Sequence, residues 1–183
     1  MASHRRKFKE DAGRDVISEL PVEVKERILE CLPTRDAART ALLSTHWNEV
    51  WLRHGRLEFD KDFLECLDEK GIALINTIND ILMLRAGPVK KFTLHLDYAS
   101  QPPHQSDLDR WCRFLSRNGV QELNLYISCN HKLPSCVFLC RTIKQLSLGG
   151  FILDLSIPSC IFPSLTSLFF NNVDFSDNVK GIG

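Results

Sequence analysis

The chain has 183 residues, enough for one domain with a sizeable core or for a small module joined to a second unit. Its 23 lysines and arginines balance 23 aspartates and glutamates, so net charge argues for neither nucleic acid nor an anionic membrane surface as partner. No apolar run approaches the roughly 18 residues of a membrane span. The basic opening MASHRRKFKE leads into no secretory h-region, and the seven irregularly spaced cysteines read as free thiols, which together predict an intracellular protein.

Residues 1–14 carry Arg5, Arg6, Lys7 and Lys9 around a single large apolar residue, Phe8, and read as a solvated, disordered arm. The pattern changes at Leu20. Pro21 suits the first position of a helix, where its missing N–H costs nothing, and Val24, Ile28, Leu29 and Leu32 recur at helical spacing. Pro33 stops that helix. Thr34 or Asp36 is placed to cap a second one built on Ala37, Ala38, Ala41, Leu42 and Leu43. Ser44 offers a third N-cap ahead of Trp47, Val50 and Trp51 on one helical face. Three helices this short have too little interior to bury all these groups among themselves, so another surface must cover them.

From Asp62 to Gly87, Leu74, Ile75, Ile78, Ile81 and Leu82 predict a helical bridge ended by Gly87-Pro88. Beyond it one template recurs: Val89-x-x-Phe92-x-Leu94, Val120-x-x-Leu123-x-Leu125, Ile143-x-x-Leu146-x-Leu148 and Leu165-x-x-Leu168-x-Phe170. The starts lie roughly 31, 23 and 22 residues apart, the last two within the range of leucine-rich repeats. In the longest interval, Ser106 to Asp109 leads a helix through Leu108, Trp111, Cys112 and Leu115 that Asn118-Gly119 stops. The later intervals hold Leu133-Pro134-Ser135-Cys136 and Ile157-Pro158-Ser159-Cys160, turns too short for a long helix. Each unit should lay down a short parallel strand whose apolar side needs neighbours. Asp97, Ser128, Phe151 and Val173 stand where a regular repeat carries Asn or Cys, which predicts an irregular array.

No catalytic arrangement is legible. The six histidines stand in no recognisable nucleophile or acid–base pattern, and no P-loop, dinucleotide fingerprint or HExxH occurs. Cys129, His131, Cys136 and Cys140 lack the paired spacing of a zinc site and read as packed repeat residues, so no metal and no cofactor is expected. Asp97, Asp107 and Asp109 read as caps and turn residues. Trp47 and Trp51 read as core residues of the small bundle, with Trp47 shared between core and interface.

Leu20-Pro21, Ile28-Leu29, the run from Leu32-Pro33 to Ala37, Leu43-Ser44, Trp47, Trp51 and Leu57-Glu58-Phe59-Asp60 resemble the F-box of plant F-box proteins. Val22-Glu23-Val24 departs from it, putting a smaller side chain where relatives often carry leucine. With the repeats, the chain resembles the plant F-box/leucine-rich-repeat family, whose members often continue into an FBD-type domain. The resemblance implies an α/β fold: a small all-helical F-box at 15–60, a helical bridge at 61–87 and a short, irregular solenoid of about four repeats at 88–183. The last repeat lacks a polar cap before Gly183, and a truncated array is expected.

The implied function is that of a non-enzymatic substrate-recognition subunit of an SCF-type cullin-RING ubiquitin ligase. Its F-box would bind a Skp-family adaptor, and through it cullin and RING subunits, while the repeats bind an unidentified target protein. The adaptor-binding residues would be Leu20, Pro21, Val24, Ile28, Leu29, Leu32, Pro33, Asp36, Leu43, Trp47 and Trp51. Target selection would fall to variable residues beside the strand cores: Lys91, Thr93, His95, Glu122, Asn124, Tyr126, Lys144, Ser147, Ser167 and Phe169. Location in the nucleus or cytoplasm is expected. The alternative is a non-degradative or dominant-negative adaptor-binding protein whose truncated repeat array occupies adaptors without presenting a target.

Overall fold

A computed structural model describes residues 16–64, 71–96, 102–154 and 162–176, without the side chains of 71–73, 129 and 130. The predicted arm at 1–14, Cys66, Asp97, the turn at 157–160 and the end of the chain lie outside the described residues.

Three short helices open the fold: α1 (Val22–Glu30), α2 (Thr34–Thr40) and α3 (Thr45–Arg53). Pro21 sits one residue outside α1, at the N-cap, because its ψ of 148° is extended. Its carbonyl accepts from the N–H groups of Val24 and Lys25, both at 3.1 Å. Pro33 repeats the device for α2, its carbonyl accepting from Ala37 N at 2.9 Å. Neither Thr34 nor Asp36 therefore acts as the cap. α1 has already ended at Glu30, before Pro33 is reached, and α2 ends at Thr40 with residues 41–43 in turns. Ser44 does cap α3, its hydroxyl accepting from Trp47 N at 3.4 Å.

A strand follows at once. β1 (Arg56–Phe59) precedes α4 (Lys61–Leu64), α5 (Gly71–Met83), β2 (Lys91–Leu96), α6 (Gln105–Arg117), β3 (Glu122–Lys132), a 3₁₀ turn at Ser135–Val137, β4 (Gln145–Asp154), β5 (Ser167–Asn171) and β6 (Asp174–Ser176). All six strands belong to one parallel sheet in the order β1-β2-β3-β4-β5, with β6 pairing the later half of β4. The four predicted repeats supply β2 to β5 in matching register: Phe92 stands opposite Leu123, Leu123 opposite Leu146, and Leu146 opposite Leu168. β1 joins the ladder ahead of them, Leu57 opposite Phe92 and Phe59 opposite Leu94. The first interval holds the predicted helix, α6. Its entry is one turn earlier than the aspartates imply: His104 is the N-cap, and its N–H donates to the Asp107 carboxylate at 3.1 Å. Asn118 and left-handed Gly119 close it.

The helices and the sheet share one core. Leu29, Trp47, Leu57, Phe59, Ile78 and Phe92 are each at most 1 % exposed and belong to a single buried cluster. The bundle thus finds in β1, α5 and β2 much of the cover that its size requires. At the other end of the sheet, Leu168 and Phe170 of β5 and Phe175 of β6 are exposed.

Two positions generate sharp expectations. Gly150 has φ of +72° where β3 and β4 slip register between Tyr126 and His131, and a Cβ there would collide with the Ile127 carbonyl oxygen. Gly150→Ala should destabilise the fold by about 2 kcal/mol or more, since both left-handed backbone and backbone contact oppose it. A urea-unfolding midpoint equal to wild type would contradict this. His54, between α3 and β1, is 8 % exposed and stacks near Trp51. Burial, and then the charge of Arg85, lower its pKa. The unfolded chain therefore takes up this proton first. Stability should fall as pH drops through and below the ordinary histidine value of 6.5, above the window of Glu58, and His54→Gln should flatten that slope. Parallel pH slopes for the two proteins would refute the assignment.

Candidate functional site

Two surfaces concentrate the residues singled out from the sequence: the apolar face of the helical trio and the outward face of the parallel ladder. Neither resembles a catalytic pocket.

On the trio, a buried lysine sets the geometry. Lys25 is 4 % exposed, donates from Nζ to the Ser18 carbonyl at 2.7 Å and lies 5.7 Å from the centroid of the Trp47 ring. Hydrogen bonding to a charged donor and contact with an aromatic face offset the cost of desolvating its ammonium. Ser18 Oγ also donates to Ser44 Oγ at 3.0 Å. These bonds tie residues 17–20 onto α1 and the start of α3. Nothing in the sequence pattern marked Lys25, because a lysine between apolar helix positions ordinarily faces water.

The face so built is apolar and open. Val24, Ile28 and Leu43 are exposed, as are Pro21, Pro33 and Asp36, while Leu20 and Leu32 are half-buried against the core. Leu29, Trp47 and Trp51 are enclosed by this chain's own core and offer no free contact surface. Their spacing served core and interface equally well on paper, and the packing of α3 against α1 and α2, in one core with the sheet, decided it. Four exposed residues were missed: Val16, Ile17, Val22 and Leu42, the last 87 % exposed. They flank the motif positions: Val16 and Ile17 lie in the turn before α1, Leu42 in the turn after α2, and Val22 at the start of α1. Single exposed apolar residues are ordinary, but several on one small bundle, with Val24 and Ile28 one turn apart on α1, have the character of an interaction surface.

On the ladder, alternation turns every second residue outward. Register places Arg56, Lys91, Glu122, Gln145 and Ser167 in one row, and Glu58, Thr93, Asn124, Ser147 and Phe169 in the next. A third row holds His95, Tyr126, Gly149 and Asn171. All the predicted outward residues but one fall in these rows. Lys144 is the exception: it precedes β4, and its carbonyl accepts from Thr166 and Ser167 N–H groups.

Cross-strand bonds order the rows. Glu58 accepts from Arg56 at 2.8 Å and pairs with Lys91 at 3.0 Å, and Lys91 reaches Glu122 at 3.7 Å. Burial works against the Glu58 carboxylate, but the hydrogen bonds from Arg56 and Lys91 outweigh it and hold its pKa below the ordinary value. Asn124 Nδ2 donates to Thr93 Oγ1 at 3.2 Å. The rings of His95 and Tyr126 lie 5.3 Å apart, and Tyr126 leans over the space a side chain at Gly149 would take.

Among the described residues no group of three or more His, Cys, Asp or Glu side chains is placed to hold a metal ion, and the Cys129 side chain lies outside that description. Burial raises the pKa values of the Cys112 and Cys136 thiols, which disfavours reactive thiolates. No described helix is long and apolar enough to cross a membrane.

Comparison with known proteins gives the two surfaces a context. A family model described as the F-box domain matches residues 17–59, and one described as "FBD-associated F-box protein At5g56370, LRR repeats" matches residues 108–179. The chain is similar to the F-box/FBD/LRR-repeat protein At1g13570 of Arabidopsis thaliana, 36% identical over 138 residues, covering 73% of this chain and 32% of that protein. It is also 33% identical over 169 residues to the F-box/LRR-repeat protein At2g42720, and 33% identical over 171 residues to the putative F-box/FBD/LRR-repeat protein At4g00315, both of Arabidopsis thaliana. Those matches cover 88% and 89% of this chain, and 38% of each relative. The chain thus spans about a third of the length of the curated relatives it matches. No solved structure matches it, and no enzyme family is indicated. With an F-box on its helical trio and leucine-rich repeats over its later strands, the chain belongs to the plant F-box/leucine-rich-repeat family.

Proposed function

We propose that the protein is a substrate-recognition subunit of an SCF-type cullin-RING ubiquitin ligase, acting in the nucleus or cytoplasm. The observation that carries the reading is the open apolar face of the F-box, around Val24, Ile28 and Leu43, standing beside a separate ladder of outward polar and aromatic side chains. The first has the character of a protein docking surface, the second that of a variable recognition surface. In this reading the F-box binds a Skp-family adaptor, which links the chain to cullin and RING subunits. The ladder is the beginning of an irregular leucine-rich-repeat solenoid, and its outward rows bind the target protein.

The chain contributes no chemistry of its own. It holds a target near a charged conjugating enzyme, which raises the effective concentration of the acceptor lysine. Trp47, Trp51 and Leu29 act as the frame that fixes the docking face, and the exposed residues make the contacts. Apolar anchors near the centre of such a face carry most of the binding energy.

Val24→Glu combined with Ile28→Glu should reduce co-purification with a Skp-family adaptor at least tenfold, or about 1.4 kcal/mol, while leaving circular dichroism unchanged, because both positions face solvent. Undiminished capture would remove the docking assignment. The receptor role is separately tested by pull-down with and without proteasome inhibition. A captured protein that accumulates on inhibition supports it, and adaptor capture with no such protein favours the non-degradative alternative.

A further inference from the structure

Bordering the apolar face on α1, but lined by none of its exposed apolar residues, a groove of about 770 Å³ runs between α1, the end of α3 and the start of β2. Its lining holds five lysines and arginines but only two glutamates, although the whole chain has 23 of each sign. Charge has therefore been concentrated here against a neutral background.

The cations differ in how far they are committed. Arg27 is paired with Glu30 at 3.0 Å, and Arg56 and Lys91 are held by Glu58. Arg53 and Lys90 are exposed and carry no ion pair among the described residues. A further positive charge lies behind the wall. Arg85 Nη1 donates to the carbonyl of His54, itself a lining residue, and its guanidinium lies 4.3 Å from the centroid of the Trp51 ring. Its Nε and Nη2 are buried without a hydrogen-bond partner among the described residues. Burial lowers its pKa to about 10, so it stays charged at neutral pH.

The floor is preformed. Ala86 N donates to Leu52 O at 2.9 Å, and the N–H groups of Lys90 and Lys91 donate to Gly55 O at 2.8 and 2.9 Å. Gly55 and Gly87 allow these backbones to touch, since a Cβ at Gly87 would stand 3.1 Å from Arg53 Cα. The Ala86 bond occupies one carbonyl of the last turn of α3, Leu52 O, at the end where a helix presents its negative pole.

We propose that this groove docks an acidic, carboxylate-rich segment of a partner protein, with Arg53 and Lys90 as the contacting cations. Carboxylates fit better than a nucleic-acid backbone because Glu26 and Glu30 share the lining. A peptide can space its charges to avoid them, whereas a run of phosphates cannot. The site does not depend on ligase assembly, because it uses neither the apolar F-box face nor the adaptor.

The test uses the full chain and fluorescent peptides of about ten residues, one rich in Glu and Asp, one neutral and one rich in Lys, with an oligonucleotide of similar length, read by polarisation at salt from about 50 to about 200 mM. The acidic peptide should bind at least tenfold more tightly than the neutral one and weaken with salt. Arg53→Glu with Lys90→Glu should remove that preference. Arg113→Glu with Arg117→Glu on α6 makes the same change in net charge elsewhere and should preserve it. Equal binding of acidic and neutral peptides, equal loss in the α6 variant, or tighter binding of the oligonucleotide would each overturn the proposal. Adaptor capture by the Arg53/Lys90 variant should stay at the wild-type level, which separates a failure of the groove from a failure of the docking assignment.

Discussion

The parallel pairing of β1 with β2 is the constraint on which the rest depends. Leu57 and Phe59 lie opposite Phe92 and Leu94, and the Thr34 hydroxyl accepts from Glu58 N at 2.7 Å, so α2 is fastened to the first strand. Without that pairing the helical trio would have to bury Leu29, Trp47 and Trp51 alone, and small units lack the interior to do so. With it, a single core runs from α1 into the sheet. The trio is then held rigidly enough to leave other apolar residues in water.

Much of this was legible in the sequence because it rests on periodicity. The apolar template at Val89, Val120, Ile143 and Leu165 fixed four strands and their inward residues, and Ser44 announced the start of α3. β1 was missed because Leu57-Glu58-Phe59 lay inside the motif boundary drawn at Asp60. It offers only four residues, a length at which alternation has little weight. Proline was misplaced for a related reason: its fixed φ suits the N-cap and the first helical residue equally, and only the observed ψ separates them.

The exposed apolar face was half legible. Spacing identifies which residues share a helix side but not which side meets the chain's own sheet, so Trp47 and Trp51 were grouped with Val24 and Ile28 although the fold buries the former and exposes the latter. Lys25 shows the converse. Its burial depends on the Ser18 carbonyl and the Trp47 ring arriving together, which is tertiary information. The basic groove is of the same kind, since Arg53 at the end of α3, Arg85 just after α5 and Lys90 just before β2 come together only when those segments pack.

The central claim is a division of labour, in which the F-box face meets the adaptor and the ladder stays free for a target. Hydrogen exchange on the chain with and without a Skp-family adaptor tests it most directly. The account predicts slowed exchange at residues 16–28 and 41–44, with rates on β2, β3 and β4 unchanged. Protection centred on the ladder, or none on the trio in a stable complex, would contradict it.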